Sequence, residues 1–227
     1  MDIHKPKPWH GWREFLKEYA IIVVGVLTAL GAEQTVEWLH HGAELKETRA
    51  AIRAEIVDNL TTAQVLRIEN HCLLGVTGKI AAWAQGGPRY TLAPTISPQF
   101  SFTIWDASQT SALSRMPLKE KYADAQFYAG LRNAQSLADV TRGQFIRLER
   151  LNGVRSLGAA RASEVLEDMA EMRAVLFGSI SYVGHLQQRA APLGLRPQPL
   201  TGFARERLSA ECAAGGMPAP DFDKPPL

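Results

Sequence analysis

Hydrophobic and polar positions change pattern twice along the chain. Fourteen residues from Tyr19 to Ala32, YAIIVVGVLTALGA, carry no charge. From Glu33 this continuous run gives way to a stripe. Leu45, Ile52, Asn59, Leu66, Leu73 and Ile80 recur every seven residues, with Ile56, Ala63, Asn70 and Thr77 between them. No proline occurs between Trp12 and Pro88, so the pattern predicts one helix through the apolar stretch and onward over about 33–85. At 1.5 Å per residue the striped part alone would reach about 80 Å, and a helix that long needs partner helices along its stripe.

Gly86, Gly87 and Pro88 end this helix. The proline-punctuated stretch to Pro98 reads as a loop at the tip, with a short strand-like pairing around Phe100 to Ile104. A short helix is expected over about 105–115. Pro117 then suits the first turn of a second long helix, 117–151, whose stripe reads Phe127, Leu131, Ala134, Leu137, Thr141, Phe145 and Leu148. Asn152 and Gly153 break the pattern. A third long helix is expected over about 156–191, with Ala162, Leu166, Met169, Leu176, Ile180, Val183, Leu186 and Ala190 on one face, stopped by Pro192 and Gly194. A last short helix, 201–214, places Ala204, Leu208 and Cys212 on one stripe that would dock on the first helix at Cys72.

The expected fold is therefore all-α: an N-terminal transmembrane helix continuing into an antiparallel bundle of three long helices plus short ones. Its divisions are a disordered leader at 1–11, a membrane segment with interfacial flanks at 12–38, a bundle domain at 39–214 and a disordered tail at 215–227.

Three readings compete for the apolar run: a membrane anchor, a cleaved signal peptide and a buried core helix. Fourteen residues of helix cover only about 21 Å, short of the roughly 30 Å of hydrocarbon in a bilayer. The flanks supply the rest. Trp12 and Trp38 lie about 39 Å apart along a helix, near the roughly 40 Å between headgroup zones, where indole rings concentrate. Trp12, Lys17, Tyr19 and Trp38 are the candidate interface anchors, Lys17 by snorkelling. Ala29, Leu30 and Gly31 offer a cleavage site for the signal-peptide reading, against which stand Glu14, Glu18 and a long head. Lys5, Lys7, Arg13 and Lys17 precede the run, whereas the twenty residues after it hold only Lys46 and Arg49. The basic side stays in the cytoplasm; in a bacterium the expected place is then the inner membrane, with the main domain periplasmic.

That compartment bears on the two cysteines. Cys72 and Cys212 are too few for a paired-cysteine zinc site but suffice for one disulfide, which an oxidising space would preserve. Charge adds little: 25 basic side chains against 23 acidic leave no field to recruit nucleic acid.

Candidate chemistry is sparse. Glu37 and His40 have the Glu-x-x-His spacing of di-iron bundles, but the motif occurs once where two are required. Adjacent His71 and Cys72 point about 100° apart on a helix and do not share an ion easily. Glu33 is a candidate intramembrane polar site, with interfacial water as its simpler partner. Gly25, Ala29 and Ala32 form a small-residue face of the kind on which membrane helices pack. Asn59 and Asn70 on the apolar stripe would either line a ligand pocket or fix register. There is no Cys-x-x-Cys-His, no Gly-x-Ser-x-Gly elbow and no phosphate-cradling glycine loop. No catalytic residue, metal ligand or cofactor is assigned.

The segment FLKEYAIIVVGVLTALGAEQTVEWLHH, leading into a charged helix that ends ENHC, together with WDASQTSALSRM at 105–116, resembles an uncharacterised family of bacterial proteins. Members have one N-terminal membrane segment and a helical remainder. The resemblance implies an anchor and transfers no activity. The expected function is a non-enzymatic, singly anchored scaffold or accessory subunit of an envelope complex, touching membrane lipid and a protein partner or further copies of itself. The alternatives are a periplasmic ligand-sensing bundle that signals through a partner, and a secreted soluble bundle should residues 1–31 be removed.

Overall fold

In the computed structural model the described residues are 11–92, 98–109, 112–218 and 222. The expected leader falls almost wholly outside them, as do most of the expected tail and positions 93–97 of the tip loop. The chain is all-α. Its helices are α1 (Trp12–Ala84), α2 (Thr103–Ser108), α3 (Leu118–Glu149), α4 (Ala159–Ala190) and α5 (Gly202–Gly215), with 3-10 turns at Ala112–Arg115, Arg150–Gly153 and Ala191–Leu193.

Two units pack separately, one up to Thr48 and the other from Arg49 onward. In the first, the described residues are helical and nearly all exposed. The second is the bundle. Every member of the heptad stripe from Ile52 onward is buried, namely Ile52, Asn59, Leu66, Leu73 and Ile80, and so are Ile56, Ala63, Asn70 and Thr77 between them. A seven-residue repeat keeps these positions on one side of the helix, which is what a continuous packing seam requires. Against the distal half of this seam pack Phe145 and Leu148 of α3 and Met169, Met172 and Leu176 of α4.

Helix directions depart from the antiparallel expectation. Arg49 meets Glu120 and Glu55 meets Tyr128, so α3 runs parallel to α1. Asn70 meets Ser179, and Arg173 meets the Leu74 carbonyl, so α4 runs antiparallel to both. Periodicity fixes a helix's face and not its direction, and the connection between Ala84 and Leu118 is long enough to travel back along the bundle. Ser101, Ile104 and Trp105 lie beside Glu55 and Asn59 of α1 instead of capping the tip.

The same segment overturns two local expectations. The strand-like pairing at Phe100–Ile104 does not form, because side chains take the backbone groups that a ladder would use. Asn59 Oδ1 accepts from the Ser101 N–H at 2.8 Å while its Nδ2 donates to the Ser101 carbonyl at 2.7 Å, and Gln135 Oε1 accepts from the Phe100 N–H. The helix expected over 105–115 is the six-residue α2 followed by a separate 3-10 turn, with positions 110 and 111 outside the described residues. Ser108 donates back to the Ile104 carbonyl at 2.6 Å, the local competition that makes serine a poor helix continuer.

Candidate functional site

The apolar helix of the first unit presents its candidate interface residues outward. Trp12 and Trp38 are each 73% exposed, and Tyr19 and Lys17 are exposed too. Phe15 stacks between the other two aromatics, with ring centroids 5.9 Å from Trp12 and 6.3 Å from Tyr19. The spacing of three and four puts these rings on one face, a grouping that suits a headgroup layer. Thr28 and Thr35 donate to the carbonyls four residues back, at 2.7 Å each, so neither hydroxyl needs an external acceptor. Ala29, Ala32 and Glu33 are exposed, and a Cβ placed on Gly25 meets nothing within 4 Å. The small-residue face is open. His40 is exposed, and His41 lies 3.7 Å from Glu44 within its own turn. Among the described residues no group of three His, Cys, Asp or Glu is placed to hold a metal ion.

Within the bundle the most elaborate polar arrangement centres on Glu55, which is 5% exposed. Its carboxylate accepts from the Tyr128 hydroxyl at 2.7 Å, the Ser101 hydroxyl at 2.8 Å and the Ile104 and Trp105 N–H groups at 2.9 and 3.0 Å. The two N–H groups belong to the first turn of α2, where helix donors lack internal partners. Burial pushes the Glu55 carboxyl up, but these four donors together outweigh it and hold the group below its ordinary value. Burial and Glu55 push the Tyr128 hydroxyl up, so it stays a donor. Trp105 stacks on Tyr128 with centroids 4.7 Å apart, closing the site. Sequence reasoning missed Glu55, because a charge beside a stripe reads as a solvated face.

A second cluster lies where α5 crosses α1. Cys72 and Cys212 form a disulfide with Cα atoms 4.3 Å apart. The helices approach closely here: a Cβ on Gly215 would come within 2.6 Å of the Cys72 carbonyl oxygen. Three residues before Cys72, Glu69 is 2% exposed. Arg207 reaches it at 3.5 Å and Glu211 at 2.7 Å. Burial, followed by the Glu211 charge, lifts the Glu69 carboxyl to about 7 against the pull of Arg207. Among the described residues, Glu69 Oε2 and Glu211 Oε2 are buried without a hydrogen-bond partner. Asn59 and Asn70 tie α1 to Ser101 and to Ser179 of α4. His71 faces solvent beside the disulfide.

One cavity of about 370 Å³ opens at the end of the bundle that carries Arg49, between the starts of α1's bundle portion and α3 and the turn after α4. Ile52, Pro117, Ala123, Leu193 and Leu195 give it apolar walls, and Arg49, Arg53, Lys119, Glu120 and Asp124 give it charge. Arg49 donates to Glu120 at 2.7 Å. Burial, then Glu120, raises the Asp124 carboxyl to about 6, with Arg53 opposing.

These features define an all-helical protein in which, among the described residues, one helix, α1, is long and apolar enough near its N-terminus to cross a membrane. No protein-family model, curated protein or solved structure matches the chain, which is consistent with its resemblance to a family without an assigned activity.

Proposed function

We propose that the chain is a non-enzymatic, single-pass anchored protein serving as scaffold or accessory subunit of an envelope complex. Residues 12–38 lie in a bacterial inner membrane, the N-terminus is cytoplasmic and the bundle is periplasmic. The observation that carries this reading is the change of character within α1. No residue of its apolar window is buried, whereas the same helix from Ile52 onward is buried along a regular seam. Bare apolar helix surface of that length is stable in lipid and costly in water. The excess of basic residues before the run supports the orientation. The disulfide supports an oxidising compartment for the bundle. Glu55 is engaged by structural donors, which supports a packing role over proton transfer. A reporter active only in the periplasm, fused after Leu227, is expected to work, and one active only in the cytoplasm to stay silent; the reverse result overturns the orientation. Gentle extraction in mild detergent is expected to bring down a stoichiometric membrane partner or further copies of the chain.

The cavity beside Arg53 favours a second reading, a ligand-sensing bundle that signals through a partner. A rise in Tm with one member of a metabolite panel would select it.

A further inference from the structure

The cavity at the Arg49 end is lined unlike the rest of the bundle. Its volume, about 370 Å³, falls within the range of small-molecule sites. Walls from Ile52, Pro117, Leu193 and Leu195 are hydrocarbon, and the lining also carries fixed charges. Those charges do not cancel. The 2.7 Å bond between Arg49 and Glu120 pairs those two, which leaves Arg53 and Lys119 against Asp124 in the charge count of the lining. Burial works against the Asp124 charge and lifts its carboxyl to about 6, so the balance is cationic at neutral pH and more so in mild acid. No charged group comes from the third wall, the Leu193 and Leu195 turn. Apolar walls together with Arg53 and Lys119 suit a ligand that has a charged head and a greasy body.

We propose that this cavity binds an anionic amphiphile, a single carboxylate or phosphate head carrying an acyl chain, with the head on Arg53 and Lys119 and the chain along Ile52, Pro117, Leu193 and Leu195. A neutral amphiphile would leave the excess positive charge of the lining unmatched, and a bare anion would leave the apolar walls wet. The source is either a lipid drawn from a bilayer or a free fatty acid, since both present the same head and chain. This rests on the cavity and not on the anchoring of residues 12–38, so its failure would leave that reading standing.

Native mass spectrometry of the full chain released from nonionic detergent tests it, with phosphatidylglycerol, phosphatidylcholine, decanoate, decanol and inorganic phosphate as separate probes. Phosphatidylglycerol or decanoate is expected to stay bound at least about fivefold more than phosphatidylcholine, decanol or phosphate. Which of the two stays identifies the source. Arg53→Gln combined with Lys119→Gln is expected to abolish that preference; both side chains are exposed, so Tm should hold. Asp124→Asn is expected to strengthen retention, a gain that misfolding does not mimic. Equal retention of charged and neutral probes, or a preference unchanged in the Arg53→Gln, Lys119→Gln variant, overturns the proposal.

Discussion

Replacing Glu55 by alanine exposes the logic of the bundle most directly. Four donors converge on its carboxylate, but they differ in what they lose. Ser101 and Ile104 are exposed and can turn to water, whereas Trp105 and Tyr128 are buried. Each buried donor left without an acceptor costs about 1–3 kcal/mol, and loss of charge-assisted bonding adds to it, so Glu55→Ala should destabilise by about 3–5 kcal/mol. For a unit of this size that is a fall in Tm of roughly 6–20 °C. The assay is urea unfolding of the full chain in nanodiscs, followed by far-UV circular dichroism, for the wild type, Glu55→Ala, Tyr128→Phe and the double variant. Tyr128→Phe should cost about 1–2 kcal/mol alone and almost nothing once Glu55 is gone, because the hydroxyl then has no acceptor to lose. The pH dependence has a fixed sign. Burial raises the Glu55 carboxyl, but the donors lower it further, so the folded group titrates below the unfolded one. Its contribution is present above the unfolded value, near 4.5, and is lost as pH falls through the folded one. The stability curves of wild type and Glu55→Gln should therefore converge on acidification. A cost below about 1 kcal/mol for Glu55→Ala, or a coupling to Tyr128 within about 0.3 kcal/mol of zero, refutes the role assigned to this carboxylate.

Removing the disulfide with Cys72→Ala and Cys212→Ala opens a loop of 140 residues, for which chain entropy gives a loss of about 5 kcal/mol. Reductant should lower the Tm of the wild type toward that of the variant and leave the variant unmoved; a wild type indifferent to complete reduction contradicts it. At Glu69 the sign is opposite to that at Glu55. Burial and Glu211 raise its carboxyl to about 7 although Arg207 and Arg142 oppose, so the folded state keeps a proton that the unfolded chain releases between about pH 4.5 and 7. Stability from this group falls as pH rises across that window. Glu69→Gln should remove the fall and be more stable than the wild type at pH 8 by up to about 3 kcal/mol, read as a difference of urea midpoints. Identical pH profiles for the two proteins would rule this out.

The heptad positions from Ile52 to Ile80 were legible because burial along a packed helix follows its period, and nothing later in the chain has to be known to count by seven. The stripes of α3 and α4 were legible for the same reason over most of their length, although near the start of α4 the fully buried residue is Val165 and not Leu166. Pairing Cys212 with Cys72 needed only that α5 dock by its apolar stripe. Other features had no local signal. Glu69 is buried because Arg207, 138 residues away, comes to lie beside it. The cavity gathers three segments, none of which carries a pattern marking it as a wall.

Glu55 joins what was legible to what was not. Parallel packing of α1 and α3 requires the chain after Ala84 to come back along the bundle before α3 begins, and a returning segment without regular structure brings backbone groups that need partners. Water satisfies them where the segment is exposed. Where it is covered, α1 must present acceptors and donors on its own surface, and it does so one turn apart: Glu55 holds the start of α2 and Asn59 holds Ser101. From the other side Gln135 takes the Phe100 N–H and Arg132 meets Asp106 at 2.6 Å, so α3 grips the same segment that α1 grips. A carboxylate in the flank of an apolar stripe is thus the consequence of helix direction. An antiparallel α1 and α3 joined by a short turn would have no use for it, and the charge would then be a liability of several kcal/mol rather than the clamp that fixes the topology.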